Sequence, residues 1–89
     1  MDNEEALSLL KDFLDEVEAA GYNALSKRVG ENGAFEVEGA SGKKYQIEYD
    51  ILWDHEPDGA IRIIGSVDDG GLRAFAPLTE SRRVTPPVS

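Results

Sequence analysis

Two alternating segments close together in the chain constrain the fold more than any other feature. Residues 45–53 and 60–67 carry large apolar side chains at nearly every odd-numbered position and mostly polar ones at even-numbered positions. A period of two places successive side chains on opposite faces, which is typical of a half-buried β-strand. The intervening residues 54–59 contain Asp, Pro and Gly, which favour turns. The sequence therefore predicts a β-hairpin whose odd-numbered residues face the core.

The same alternation predicts a register for this hairpin. Pairing apolar residues across the strands places Ile51 opposite Ile61. Asp50 then lies opposite Arg62 on the other side of the sheet, where the two side chains form a favourable cross-strand ion pair.

An amphipathic helix is predicted over residues 4–20. Asp2 is a candidate N-cap and Gly21 is a natural end to the helix. The apolar residues recur at helical spacing and form one face, which comprises Ala6, Leu7, Leu9, Leu10, Phe13, Leu14, Val17 and Ala20. This face requires a partner surface, and the inner side of the sheet provides one.

Two more short strands are predicted, at residues 34–38 and 72–76, and Val67 is expected to pair with Leu72. The fold class is therefore α+β, with the N-terminal helix packed on one face of a three- to four-stranded antiparallel meander. Residues 22–29 fit either a second short helix or an irregular return to the sheet.

The end of the chain differs in composition from the rest. Residues 79–89 contain two adjacent arginines and two adjacent prolines. We interpret this segment as a flexible tail and residues 1–78 as a single domain.

Composition restricts the possible functions. The 89 residues include no cysteine, which excludes disulfides and thiolate metal sites and mildly favours a cytoplasmic location. The formal net charge of −9 opposes binding to nucleic acids and anionic membranes, and no apolar run is long enough to span a bilayer. The acidity indicates either a basic protein partner or a solubility adaptation, and the sequence leaves both open, as it does the oligomeric state.

The acidic loop of the hairpin is the best candidate for ion chemistry. Asp54, Glu56 and Asp58 occupy alternate positions, as in the opening of a calcium-binding loop. The bidentate carboxylate required at position twelve falls on Gly65, so the pattern fails. His55, the only histidine, lacks a nucleophile in a suitable sequence context. We expect no catalytic residue, no metal site and no cofactor.

A candidate binding surface lies on the side of the sheet that faces away from the helix. Apolar residues on an otherwise polar sheet face can mark an interaction surface. In the predicted register Ile64 lies opposite Phe75 on this face, and the candidate binding residues are Glu48, Asp50, Leu52, Ile64 and Phe75. The alternative is that residues 22–29 or the tail cover the apolar members of this set.

The hairpin and the turn after it also resemble a known family. Residues 45–54, which end in Trp53-Asp54, and residues 58–71, which contain Asp68-Asp69-Gly70, are similar to small bacterial domains of unknown function. Some of those domains are regarded as immunity-type or accessory proteins. The resemblance implies a small binding domain and supplies no site residue.

These observations together predict a small acidic domain that acts as a non-catalytic protein-binding module. The alternative is a small hydrolase in which carboxylates hold a metal ion.

Overall fold

The computed structural model describes residues 1–71 and 77–87, which form two helices and four strands. The strands make one antiparallel sheet in the order β1-β2-β3-β4, and the N-terminal helix packs on one face of it. The predicted α+β fold is therefore confirmed. The elements are α1 (Asn3–Glu18), α2 (Tyr22–Ser26), β1 (Asn32–Glu38), β2 (Lys44–Trp53), β3 (Ile61–Asp68) and β4 (Leu78–Val84).

Helix α1 begins as its sequence predicts. The Asp2 carboxylate accepts a hydrogen bond from the Glu5 backbone N–H at 3.1 Å, which satisfies one of the free donors of the first turn. The helix ends at Glu18, so Ala20 is exposed rather than part of the buried face. The fully buried side of the helix consists of Ala6, Leu10, Leu14 and Val17.

Residues 22–26 form the second helix, which decides between the two alternatives for this segment. Leu25 is fully buried, and the Tyr22 hydroxyl donates a hydrogen bond to the Gly59 carbonyl at 2.7 Å. Helix α2 is therefore fixed against the loop between β2 and β3, on the same face of the sheet as α1.

The predicted register of the hairpin is wrong by two residues. Ile51 pairs with Ile63, and Asp50 lies opposite Ile64 instead of Arg62. The β2–β3 loop is correspondingly longer, and the Asp54 N–H donates to the Ala60 carbonyl at 2.8 Å to close it. A shift of two preserves the side on which each residue lies, so the predicted faces of both strands are correct.

The fourth strand differs most from the prediction. Residues 72–76, predicted as a strand that pairs Leu72 with Val67, lie outside the described residues. Strand β4 runs from Leu78 to Val84, and Leu78 pairs with Val67. The prediction of a flexible tail is therefore wrong for residues 79–84.

Strand β4 has an unusual inner face because two of its core-facing positions are charged. Arg82 Nη2 lies 3.1 Å from Asp15 Oδ1, and Arg82 Nε lies 3.4 Å from Glu18 Oε2. Both carboxylates belong to α1, so these ion pairs connect the helix to the edge of the sheet.

The core lies between the helices and the inner face of the sheet, where Gly65 of β3 allows a close approach. A Cβ atom at Gly65 would lie 2.7 Å from Leu10 Cδ1 and 3.3 Å from Leu14 Cδ2. Towards β1, the ring of Phe13 lies 4.9 Å from that of Phe35 and 5.2 Å from that of Tyr49, measured between centroids. No helix among the described residues is long and apolar enough to span a bilayer.

Candidate functional site

The side of the sheet opposite the helices carries the predicted binding residues. We call this side the outer face; it consists of the even-numbered residues of β1, β2 and β3 and the odd-numbered residues of β4. Helices α1 and α2 both contact the sheet from the inner side. The outer face is therefore open to solvent over most of the described strands, whereas the inner face forms the core.

Four of the five predicted binding residues lie together on the outer face. Leu52 and Ile64 each retain 36 % of their accessible surface, and Glu48 and Asp50 are exposed. Asp50 is the direct cross-strand neighbour of Ile64. The fifth residue, Phe75, lies outside the described residues, so its predicted position opposite Ile64 is not described; within the described strands, Ser81 of β4 pairs with Ile64.

Charge is unevenly distributed across the outer face. On β1 and β2 the exposed charged side chains are Glu36, Glu38, Lys44, Glu48 and Asp50, and only one of these five is basic. Lys44 Nζ lies 3.8 Å from Glu36 Oε1, so this lysine is already next to a carboxylate. The β1–β2 half of the face is thus predominantly acidic.

The β3–β4 half instead contains two arginines that share one carboxylate. Asp54 Oδ1 accepts a hydrogen bond from Arg62 Nε at 2.7 Å, and Asp54 Oδ2 accepts one from Arg83 Nε at 2.9 Å. These two bonds hold the pKa of Asp54 at about 2, because both guanidinium groups stabilise the ionised form. Arg62 also donates to Ser81 Oγ at 3.1 Å.

These two hydrogen bonds argue against a metal-binding role for Asp54. Both of its oxygens already accept hydrogen bonds from guanidinium groups, so it is poorly placed to act as the first ligand of a calcium loop. The other members of that pattern, Glu56 and Asp58, are exposed, as is His55. Among residues 1–71 and 77–87 no group of three or more histidine or carboxylate side chains is arranged to hold a metal ion.

Sequence reasoning missed the shared carboxylate for two reasons. The predicted register assigned Arg62 to Asp50, and Arg83 lay in the segment predicted as a tail. The available signal was the placement of Asp54 just beyond the apolar end of β2, where a carboxylate can reach neighbouring strands.

Two open grooves border the candidate residues. One, of about 380 Å³, lies between β3 and β4, and the other, of about 320 Å³, lies between β1 and β2 next to Glu48 and Asp50. The first groove is lined by Arg62, Ile64, Thr79, Glu80 and Ser81. Both grooves are open to solvent, which suits contact with another macromolecule better than enclosure of a small substrate.

Two further carboxylates are used to hold the fold together. Glu5 accepts hydrogen bonds from the Ser41 hydroxyl at 2.6 Å and the Tyr45 hydroxyl at 2.8 Å. The hydrogen bond from Ser41, and then the one from Tyr45, lower the pKa of Glu5. Burial and the hydrogen bond to the Glu5 carboxylate raise the pKa of Tyr45 to about 12. The network connects the first turn of α1 to the β1–β2 hairpin.

A second carboxylate network joins the end of α2 to the sheet. Glu31 Oε2 lies 2.7 Å from Arg28 Nη2 and accepts a hydrogen bond from the Tyr49 hydroxyl at 2.8 Å. The Arg28 guanidinium, and to a smaller extent the Tyr49 hydroxyl, lower the pKa of Glu31. The hydrogen bond to Glu31 in turn raises the pKa of Tyr49. In both networks the tyrosine donor and the carboxylate acceptor are mutually satisfied, which indicates a structural role.

Comparison with known proteins gives no assignment for this chain. No protein-family model matches it, and neither does any curated protein or solved structure. The geometry and charge of the outer face are therefore the main basis for assigning a function.

Proposed function

We propose that this protein is a non-catalytic binding module that recognises a basic protein through the outer face of its sheet. The observation that supports the proposal is the position of Leu52 and Ile64, two large apolar side chains, each 36 % exposed, on a face that no described helix covers. Burying such side chains against a partner removes apolar surface from water, which is the main favourable term in protein association.

The charges around these side chains indicate the kind of partner. Glu48 and Asp50 flank the apolar pair, and the β1–β2 half of the face has one lysine against four carboxylates. A positively charged surface would be attracted towards this half, and its association would be accelerated at low salt. The net charge of −9 extends this attraction beyond the face itself.

The resemblance of the hairpin to small bacterial domains supports the same class of function. An immunity-type or accessory protein acts by contact with another protein and does not need a catalytic site of its own. We place the protein in the cytoplasm, consistent with a chain that contains no cysteine.

The test is affinity capture from lysate of the native cells, with the protein and three variants as bait. Ile64→Ser removes the apolar contact, and Glu48→Lys reverses a charge on the outer face. Glu16→Lys is the matched control, because it makes the same charge change on the exposed side of α1. We expect a basic protein that is captured by the parent and the control but lost with both outer-face variants.

Two results would contradict the proposal. Equal loss with Glu16→Lys would show that capture depends on overall charge and not on the outer face. Retention of all captured proteins by Ile64→Ser and Glu48→Lys would show that another surface is used. Repeating the capture at higher salt should weaken binding, since screening reduces the attraction between the two surfaces.

A further inference from the structure

Strand β4 presents a backbone edge that a second strand can extend. Among the described strands, β4 has a neighbour on one side only, namely β3. An edge of this kind exposes unpaired N–H and C=O groups and pairs readily with another chain unless charge, proline or a bulge opposes it. The seven residues of β4, Leu78–Val84, contain no proline.

The sequence of β4 is complementary to itself when it is read in the antiparallel direction. A twofold axis through Ser81 places Glu80 of one copy opposite Arg82 of the other, and Leu78 of one copy opposite Val84 of the other. Both kinds of pair occur twice because of the symmetry. Directly opposed charges of opposite sign and directly opposed apolar residues are the pairs that stabilise antiparallel strands.

Neighbouring registers do not have this property. An axis through Glu80 places two glutamates opposite each other, and an axis through Arg82 places two arginines opposite each other. Like charges in direct opposition destabilise a strand pair. Among the three registers centred on Glu80, Ser81 or Arg82, the one at Ser81 alone pairs opposite charges and avoids like ones.

The described contacts of Arg82 do not use all of its hydrogen-bond donors. Arg82 uses Nη2 and Nε for Asp15 and Glu18, while its Nη1 lies 4.0 Å from Glu80 of the same chain. A guanidinium has five N–H donors, so Arg82 can donate hydrogen bonds to a further carboxylate. Leu78 and Val84 are half-buried and pack against the core, so pairing them across the axis would extend the core of each copy.

The opposite edge of the sheet differs in charge. Strand β1, Asn32–Glu38, contains two exposed glutamates and no basic residue, so no antiparallel self-pairing of β1 forms an ion pair. In a chain of net charge −9, strand β4 carries two arginines against one glutamate and is locally basic. The like-charge repulsion across a pair of β4 strands is therefore smaller than the repulsion across a pair of β1 strands.

From this complementarity we propose that the protein forms a twofold symmetric dimer through antiparallel pairing of β4, with the axis at Ser81. The two four-stranded sheets become one continuous sheet, and the helices of both copies lie on the same side of it. The outer faces also become continuous, but this proposal uses the edge of the sheet and does not depend on the binding function proposed for its face.

Disulfide crosslinking tests the position of the axis directly, because the chain has no cysteine of its own. In the proposed dimer of Ser81→Cys, the two new cysteines lie opposite each other. Their Cα atoms are about 4.5–5.5 Å apart, within the range that a disulfide spans. Thr79 is also exposed on the outer face of β4. In the proposed dimer of Thr79→Cys, the two cysteines lie about 13 Å apart along the strands, which is too far for a disulfide.

Each crosslinking outcome is informative. Under a mild oxidant we expect Ser81→Cys to give a covalent dimer that a reductant reverses, and Thr79→Cys to stay monomeric on a denaturing gel. Equal crosslinking of both variants would indicate random collision and would overturn the proposed axis. Failure of Ser81→Cys to crosslink, with its fold intact by circular dichroism, would also overturn it.

Analytical ultracentrifugation of the unmodified protein and two charge variants gives an independent test. We expect the parent protein to dimerise and Glu80→Arg, which puts arginine opposite Arg82, to associate at least tenfold more weakly. Glu38→Arg makes the same charge change at the β1 edge and should not weaken the dimer. A parent protein that remains monomeric up to about 1 mM, where even weak specific association becomes visible, would refute the proposal.

Discussion

At the scale of single residues, Gly65 controls how closely α1 packs on the sheet. A Cβ atom there would lie 2.7 Å from Leu10 Cδ1, and both Leu10 and Leu14 are fully buried and surrounded by other core side chains. In a close-packed interior, neither leucine can move away without displacing its own neighbours. The absence of a side chain at Gly65 is therefore a packing requirement, since its backbone is not in the left-handed region.

We expect Gly65→Ala to lower the free energy of unfolding by about 1–3 kcal/mol, the usual result of overpacking a core. A loss of stability would be diagnostic of the close packing. Replacing glycine by alanine at an unstrained position usually stabilises a protein by about 0.4–1 kcal/mol, because it reduces the conformational entropy of the unfolded chain. Urea unfolding measures the change. Ser66→Ala, at the next residue and on the outer face, is the control and should stay within about 0.5 kcal/mol of the parent.

The ionisation of Asp54 is strongly affected by its two arginine neighbours. Its pKa in the folded protein is about 2, against an ordinary value of 3.8, because Arg62 and Arg83 stabilise the carboxylate. A lowered folded pKa means that the ionised carboxylate contributes stability above about pH 4 and that this contribution is lost as the pH falls towards 2.

Asp54→Asn should therefore reduce stability at neutral pH and change its dependence on acid. We expect the difference in unfolding free energy between parent and variant to be largest at pH 7 and to shrink as the pH falls from about 4 to about 2. Chemical denaturation at a series of pH values measures this difference. A difference that is constant over the whole range would contradict the assignment of the two arginines to this carboxylate.

At the scale of elements, Phe13 packs the middle of α1 against β1 and β2. Its ring packs between Phe35 of β1 and Tyr49 of β2, whereas most of α1 contacts β3 and β4. Three aromatic rings with centroids 4.9–6.5 Å apart have the separation of favourable tilted pairs. This cluster adds aromatic packing between α1 and the β1–β2 half of the sheet.

We expect Phe13→Ala to destabilise the protein by less than the loss of a fully buried phenylalanine but by more than a surface substitution. Full burial would predict about 3–5 kcal/mol, and a surface position would predict about 0.5 kcal/mol or less. Because Phe13 is half-buried, the loss should fall between these, measured by urea unfolding. Glu16→Ala on the exposed side of α1 should have no comparable effect, and an equally small loss for Phe13→Ala would show that the cluster does not hold the helix.

Some features of this fold are encoded in local sequence patterns, and others are not. The alternation of β2 and β3 determined which residues face the core, and this is why Glu48, Asp50, Leu52 and Ile64 were correctly assigned to one face. It did not determine the register, because a shift of two preserves that assignment. The actual choice depends on how the loop closes, through Asp54 and Ala60, which the pattern of apolar residues does not encode.

Strand β4 was missed for a different reason. Its inner positions Glu80 and Arg82 are charged, so the segment has no apolar alternation and its composition is that of a tail. Those charges are compatible with a core-facing position because α1 supplies Asp15 and Glu18 to pair with Arg82. The stabilising partners are more than 60 residues away in sequence, beyond the reach of any local pattern.

At the scale of the whole molecule, the sheet has one side that packs against the helices and one side that faces solvent. The inner side carries the fully buried residues of β2 and β3, whereas the described strands expose polar groups and two large apolar side chains, Leu52 and Ile64, on the outer side. The two sides contribute differently: the inner side stabilises the fold, and we propose that the outer side and the β4 edge make contact with other molecules. Consecutive residues of one strand can test this division.

Ile63 and Ile64 have the same side chain and adjacent positions but face opposite sides of the sheet. Ile63 is 0 % exposed and Ile64 is 36 % exposed. Ile63→Ser leaves a cavity and a hydroxyl in the core, so we expect a loss of about 3–5 kcal/mol in unfolding free energy. Ile64→Ser places the hydroxyl in water and should lose less than about 1 kcal/mol.

Urea unfolding of the two serine variants therefore tests whether the outer face is free of the core. A large loss for Ile64→Ser would mean that part of the chain covers this side chain in solution, and the apolar pair would then belong to a second layer of the fold instead of a binding surface. A small loss for both variants would contradict the placement of the core itself. Only the combination of a large loss at Ile63 and a small one at Ile64 leaves Ile64 available to a partner, since a side chain already buried in its own fold has no apolar surface to contribute on binding.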